Sequence, residues 1–363
     1  MRVLYAHLYD CRYGIAGAEK VLWDVSMGMK ENFGVKVACA VNAGELLEKF
    51  QKIDAPTVAL EGSKLKMLST CKRLDAIIAE FKPDIVHSHH RYVTFLLDTF
   101  FKRKAIILHT EHVLRCDKRW LFRYGHFATA VHETVQKNLI DHYKLSADSV
   151  VAIPNAIAGL NPQSDRVRSL RAQHSGPQGT SHVLCIGRLE VQKGHKYLIE
   201  AVHMMPARLR ERLRIFFAGQ GSLESALKKE INEKGLQKNF VFLGYCREIP
   251  EHLSFCDFSI LPSLWEGMPL SILEAYSVGR TVIATNIAGS RELIVNGKTG
   301  LLVPSRDSQA LAKAIEELIV DPYRAQKMGQ AAQIFWREHF SFSKVLEQYH
   351  QCYEMLIKLH GQH

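Results

Sequence analysis

The sequence predicts an α/β protein with two doubly wound domains, and three observations carry that expectation. The first is length: 363 residues exceed what one hydrophobic core usually organises and suit two. The second is a pattern of short, continuous apolar runs alternating with amphipathic stretches. The third is a polar interruption near the middle, after which the alternation restarts. Strands apolar along their whole length are covered on both faces, which is the condition of a parallel sheet flanked by helices.

In chain order, "RVLYAH" reads as the first strand and residues 17–31 as a helix. "VKVACAV" and "TVAL" are strands, and residues 63–81 a helix. "DIVHSH", "AIILHT", "FATAVH" and "VVAIPN" follow as strands, with helical stretches between most of them. Residues 158–181, "AGLNPQSDRVRSLRAQHSGPQGTS", are rich in Gly, Pro, Ser and Gln with few apolar residues to bury, and read as a linker. Then come "HVLCIG", a helix near 195–205, "LRIFFAG", a helix near 222–234, "NFVFLG", "FSILPS", a helix from about 269, "TVIAT" and "GLLVP". Helices fill 307–359. The expected domains are 1–158 and 182–341, joined by 159–181. The last segment, 342–363, is strongly helical; it caps either domain or crosses between them, back to the first. In such folds ligands bind beyond the carboxyl ends of the strands, and two facing domains would hold one in the cleft between them.

Composition narrows the class. At 47% hydrophobic and 23% charged, the chain reads as an ordinary globular protein without a membrane-length apolar run, which takes roughly 18 residues. "MRVLYAHLYD" is too short and mixed for a signal peptide, so the cytoplasm is the expected compartment. The eight cysteines have neither C-x-x-C nor zinc-ligand spacing and read as reduced, mostly buried side chains. A net charge of +10 suits phosphate-bearing substrates or an anionic membrane. Nucleic acid is not expected, because aromatics are not interleaved with the basic residues.

Three stretches carry candidate chemistry. "YGIAGAEKVL", residues 13–22, follows a strand and opens a helix; its small residues permit close approach and the helix start favours phosphate. It lacks the G-x-G-x-x-G spacing of a dinucleotide site. "IGRLEVQKGH", residues 186–195, places Arg188 and Lys193 just past the first strand of the second domain. That pair can stabilise a departing pyrophosphate without a metal. "SLWEGMPLSILEA", residues 263–275, holds Glu266 in a loop and Glu274 inside the following helix, which Pro269 opens and Gly279 ends. Gly267 permits close backbone approach, and the helix start at Met268–Leu270 offers N–H groups to an anion.

With "IPNAI", "FFAGQGS", "FVFLGY", "GRTVIATNIAGSRELI" and "TGLLVP" in the same order, the chain resembles the GT-B retaining glycosyltransferases of family four, glycosyl transferases group 1. The resemblance covers nearly the whole chain and is densest over 182–305. It implies a GT-B fold. It also implies transfer of a sugar from a nucleotide diphosphate sugar, UDP-linked or GDP-linked, to a hydroxyl of a glycan or lipid-linked acceptor, with retention at the anomeric carbon. Cell-surface polysaccharide assembly is the expected setting.

The resemblance also implies roles. Arg188 and Lys193 grip the donor diphosphate, Glu274 holds the ribose hydroxyls, and Glu266 contacts the transferred sugar. Backbone N–H groups of Gly267, Met268 and Leu270 help hold sugar and phosphate, with Pro269, which has no N–H, shaping the turn between them, and Gly17 packs against the donor. His112 stands at the place of a family histidine near the reacting centre, with His109 as the competing candidate. The leaving phosphate takes the acceptor's proton, and Arg188 and Lys193 replace a metal on the leaving charge, so neither a metal nor any other cofactor is expected. His87, His89 and His90 read as cleft-lining polar residues rather than a metal site.

The chain departs from the family at Ala16, before Gly17, and at Ala156, where a residue tolerant of the left-handed turn is usual. Residues 115–126, "RCDKRWLFRYGH", set Arg115, Lys118, Arg119 and Arg123 around Trp120, Leu121 and Phe122. They suit an anionic membrane surface on the cytoplasmic face or a lipid-diphosphate acceptor. Two other readings fit the same residues: a GT-B sugar-nucleotide epimerase, and a non-catalytic nucleotide-sugar-binding subunit. Oligomeric state is not legible in the sequence.

Overall fold

The computed structural model describes residues 1–8, 17–61, 66–114, 123–174, 176–177 and 179–360. They form two compact units, one of Met1–Ala156 with the C-terminal segment from Phe342, the other of Ile157–Ser341.

In the first unit the elements are β1 (Arg2–His7), α1 (Gly17–Phe33), β2 (Lys36–Asn42), α2 (Glu45–Gln51), β3 (Thr57–Leu60), α3 (Met67–Phe81), β4 (Ile85–Ser88), α4 (Arg91–Phe100), β5 (Ile106–Glu111), β6 (Phe127–Ala130), α5 (Glu133–Asp141) and β7 (Val150–Ala152). In the second they are α6 (Ser164–Gln173), β8 (Ser181–Ile186), α7 (His195–Met204), α8 (Ala207–Arg210), β9 (Leu213–Ala218), α9 (Glu224–Glu233), β10 (Phe240–Gly244), α10 (Ile249–Phe255), β11 (Phe258–Leu261), α11 (Leu270–Ser277), β12 (Val282–Thr285), α12 (Ala288–Arg291), β13 (Gly300–Val303), α13 (Ser308–Val320) and α14 (Pro322–His339). The last helix, α15 (Phe342–His360), returns to the first unit.

Each unit has one all-parallel sheet. The orders are β3-β2-β1-β4-β5-β6-β7 and β10-β9-β8-β11-β12-β13. Both orders reverse direction once, between β1 and β4 and between β8 and β11. That reversal defines a doubly wound Rossmann-like sheet, with its ligand crevice at the reversal point.

Alternation along β1 shows how the first sheet is covered. Leu4 and Ala6 join a core with Leu74, Ile77 and Ile78 of α3 and Val93, Leu96 and Leu97 of α4. Tyr5 points the other way, and its hydroxyl lies 3.2 Å from that of Tyr353 on α15. At Gly28 of α1 an added Cβ would come within 2.4 Å of a Leu346 methyl group, so α1 and α15 pack with little between them. In the second unit a core of Val183, Ile215, Phe217, Leu198, Ile199 and Ile315 binds α7 and α13 to the sheet.

The stretch 158–181, expected as a linker, contains the ten-residue helix α6. Leu170 is its one buried side chain. Polar bonds to the region of α10 fix the rest. Arg166 forms a forked pair with Glu248 at 2.8 to 3.0 Å, and the Gln163 amide donates to Glu251 at 3.1 Å. A single buried side chain leaves little apolar signal in the sequence. Six described cysteines carry free thiols, four of them buried. No helix among the described residues is long and apolar enough to cross a membrane.

Candidate functional site

The second unit assembles its site at the β8/β11 reversal. β8 ends at Ile186, and the chain then passes through Arg188 and a short turn, Val191–Lys193, into α7. Gly194 starts α7 with φ 65°, and an added Cβ would lie 2.1 Å from the Pro262 carbonyl oxygen. A side chain is therefore excluded twice, by conformation and by space. This close approach brings the turn against the loop after β11. The Leu264 amide donates to the Gln192 carbonyl at 2.7 Å, and the Gln192 side-chain amide donates to the Trp265 carbonyl at 2.9 Å.

These bonds bring Lys193 to Glu266. Lys193 Nζ lies 2.6 Å from Glu266 Oε1, with side-chain exposures of 18% and 9%. Ser263 Oγ donates to the same oxygen at 2.7 Å. The Thr285 hydroxyl in turn donates to the Ser263 carbonyl. Arg188 is exposed and forms no ion pair with a described residue. Glu274 lies inside α11 and is part-exposed, whereas Gly267, Met268, Pro269 and Leu270 are buried. Pro269 is the residue before α11 rather than its first; ψ of 116° leaves it extended. Gly289 of α12 supports this loop, since an added Cβ would stand 1.9 Å from the Gly267 carbonyl oxygen.

The sequence reading placed Lys193 with Arg188 and Glu266 apart from both. The fold instead unites Lys193 with Glu266 and brings in Ser263, Gln192 and Thr285, which sequence reasoning missed. Ser263 and Thr285 stand in the family-like stretches, but no spacing signals a contact across 73 residues.

In the first unit the β1/β4 reversal gathers histidines. His7, at the end of β1, bonds Glu19 of α1 at 2.9 Å through Nε2. His89, just past β4, has Nδ1 2.9 Å from Nε2 of His112, just past β5. Burial, with the nearby His7 adding to it, lowers His112 to about 4 against opposing pulls from Glu111 and Glu19. Burial together with His87 and the other histidines lowers His89 well below the ordinary value. His109 sits within β5, only 1% exposed, bonded through Nδ1 to Thr94 Oγ1 at 2.7 Å. Of the two candidates it is the interior one, and part-exposed His112 is the one at the strand end.

Glu111 and Arg91 form a buried ion pair, and Arg91 also donates to the Tyr143 hydroxyl at 2.9 Å. Burial alone would raise Glu111; His109 and Arg91 outweigh it and hold the carboxyl at about 2. His87 is fully engaged, with Tyr353 of α15 at 2.7 Å and Thr110 at 2.6 Å. Among the described residues no group of three or more His, Cys, Asp or Glu is placed to hold a metal ion.

Gly17 is the first residue of α1. Residues 13–16 of the small-residue stretch lie outside the described residues, as do residues 115–122 of the basic aromatic segment. Ala156 is not among the residues with positive φ, so the substitution expected to strain a left-handed turn meets no such turn.

The comparisons with known proteins agree with this architecture. The model of the glycosyl transferases group 1 matches residues 166–335, and that of glycosyltransferase family 4 matches residues 15–158. EpsD of Bacillus subtilis is 32% identical over 182 residues, 48% of each chain, so the match spans about half of that relative's length. The UDP-Gal:alpha-D-GlcNAc-diphosphoundecaprenol alpha-1,3-galactosyltransferase of Escherichia coli is 26% identical over 334 residues, 85% of this chain and 86% of that one. HepE of Anabaena, solved in complex with UDP-glucose, superposes with a TM-score of 0.85 at 20% identity, covering 98% of this chain and 100% of that one.

Proposed function

The chain belongs to the group 1 glycosyltransferases of GT-B fold, and from that premise we propose that it moves a hexosyl group from a UDP-sugar to a hydroxyl of a lipid-linked or glycan acceptor, with retention. One observation carries the site assignment. The β8/β11 reversal unites Lys193 with Glu266, on the loops that also carry exposed Arg188 and lead into α11 with its part-exposed Glu274. A part-exposed cation bonded to a carboxylate can turn to a diphosphate, and Glu266 can then accept from sugar hydroxyls. Arg188 adds a planar fork for phosphate oxygens. Glu274 is assigned to the ribose hydroxyls, and His112 to an oxygen of the sugar or acceptor.

In the proposed reaction the bond between the anomeric carbon and the phosphate oxygen breaks, and its electron pair leaves with the diphosphate. The acceptor oxygen forms the new bond on the same face, and its proton passes to the departing phosphate. Lys193 and Arg188 stabilise the developing charge, the task a metal performs elsewhere. UDP is favoured over GDP because the E. coli relative is named for UDP-Gal and HepE was solved with UDP-glucose. The same E. coli name, with its diphosphoundecaprenol, supports a polyprenyl-linked acceptor; the proposed setting is the cytoplasmic membrane face, in cell-surface polysaccharide assembly.

A panel of UDP-, GDP- and ADP-hexoses tests this by thermal shift and by release of free nucleotide. A UDP-hexose is expected to raise the melting temperature and to be slowly hydrolysed without acceptor. With a polyprenyl-diphosphate N-acetylglucosamine acceptor, proton NMR of the product is expected to show the donor's anomeric configuration. A shift without turnover, acceptor present, would mark a binding subunit, and an inverted product would overturn the retaining mechanism.

A further inference from the structure

We propose that His89 is a positioning residue that holds His112 as a neutral imidazole protonated on Nδ1, so that His112 meets substrate as a hydrogen-bond donor and not as a base. The proposal rests on the assignment of His112 to the substrate-binding machinery.

Only one proton lies between His89 Nδ1 and His112 Nε2, which are 2.9 Å apart. Either His89 donates, leaving His112 with its proton on Nδ1, or His112 donates, leaving His89 with its proton on Nε2. The far side of His89 decides between them. His89 is 4% exposed, and its Nε2 atom is buried without a hydrogen-bond partner among the described residues. If Nε2 carried a proton, a buried N–H would be orphaned. If it carries a lone pair, the unmet group is an acceptor. Orphaned buried N–H groups are the rarer and costlier of the two. His89 therefore places its proton on Nδ1 and donates it. His112 accepts at Nε2 and keeps its own proton on Nδ1, the reverse of the tautomer free imidazoles favour.

The surroundings keep both rings neutral. His89 faces His87 of β4, His109 of β5 and His7 of β1; His112 faces His7, His109, Glu111 and Glu19 of α1. The ring planes of His89 and His112 are inclined at 27° with centroids 5.1 Å apart, a separation that matches two rings joined end to end through the 2.9 Å nitrogen contact. His87 contacts the His89 ring from behind, centroids 4.3 Å apart, and is itself locked by Tyr353 and Thr110. A neutral donor can hold a sugar or acceptor oxygen without adding positive charge to the histidine group. It also leaves the acceptor's proton to the leaving phosphate.

The test uses the full chain labelled with nitrogen-15 at histidine, the imidazole signals being assigned with His89→Asn, His89→Leu and His112→Gln. At neutral pH, His112 is expected to show a protonated Nδ1 and a bare Nε2. Asn places an amide N–H where His Nδ1 was, so His89→Asn should preserve that tautomer, and His89→Leu should release it to the Nε2–H form. In hydrolysis of UDP-glucose, His89→Leu should lower kcat about tenfold with the donor KM within about twofold, and His89→Asn should restore most of it. An Nε2–H His112 in the unmodified chain, or an unchanged tautomer in a folded His89→Leu protein, would overturn the proposal. Undiminished turnover in His112→Ala would instead overturn the assignment of His112 to substrate. The tautomer measurement needs no turnover, so the two failures are distinguishable.

Discussion

At the scale of single residues, the chemistry-bearing types were legible and their partners were not. Glu266, Glu274, Arg188 and Lys193 stood out because acidic and basic side chains flanked predicted strand ends and a helix start. The Lys193–Glu266 bond was invisible because it depends on Gly194 letting two loops touch, a tertiary fact. His112 was favoured over His109 by its place after Thr110–Glu111, and the two differ in burial, His109 being 1% exposed and His112 part-exposed. His195 drew no notice in the sequence, yet it is 2% exposed with both ring nitrogens unpartnered among the described residues, against the Phe217 ring at 4.9 Å. Burial, with Lys193 adding to it, lowers it to about 4, below its unfolded value near 6.5. A folded pKa below the unfolded one favours the neutral ring. The associated stability is present above pH 6.5 and is lost as pH falls through 6.5 toward 4, by about 3 kcal/mol. His195→Leu is therefore expected to be neutral or stabilising at pH 7, and to flatten that part of the acid dependence. Denaturant melts at pH 7 and pH 5 check this; a loss beyond about 2 kcal/mol at pH 7 would reveal a partner that His195 needs.

At the scale of elements, continuous apolar runs made the strands readable almost residue by residue: "TVAL" is β3 and "RVLYAH" is β1. Helix ends were less legible, as Pro269 shows by standing before α11 and not in it. The helix in the expected linker, α6, was hidden because Leu170 is its one buried side chain, which leaves no apolar periodicity to read. Short α12 was not anticipated at all, though it sets the loop that bears Glu266 by way of Gly289. Gly289→Ala would drive a methyl group into the Gly267 carbonyl and displace the loop. A shift near 1 Å at a reacting group can cost about 100-fold in rate, so kcat/KM for the UDP-hexose should fall on that order with a modest drop in melting temperature. Wild-type kinetics in that variant would show that the loop's position does not govern donor use.

At the scale of the whole molecule, two sheets of the same winding explain why widely separated stretches meet. Each strand order turns back once, and each reversal collects the polar residues: Lys193, Glu266 and Ser263 in one unit, His7, His89 and His112 in the other. The alternation of apolar runs announced the winding, whereas the return of α15 to the first unit stayed open in the sequence because an amphipathic helix does not name its partner. The central claim is that the second unit's reversal point holds the nucleotide diphosphate. Isothermal titration with UDP tests it most directly, comparing the full chain with Lys193→Ala and Glu274→Ala. The account predicts that the full chain binds UDP and that each variant binds at least about tenfold more weakly, through loss of a charge-assisted bond to phosphate or to ribose. Equal affinity in all three proteins, or no binding of UDP by the full chain, would contradict it.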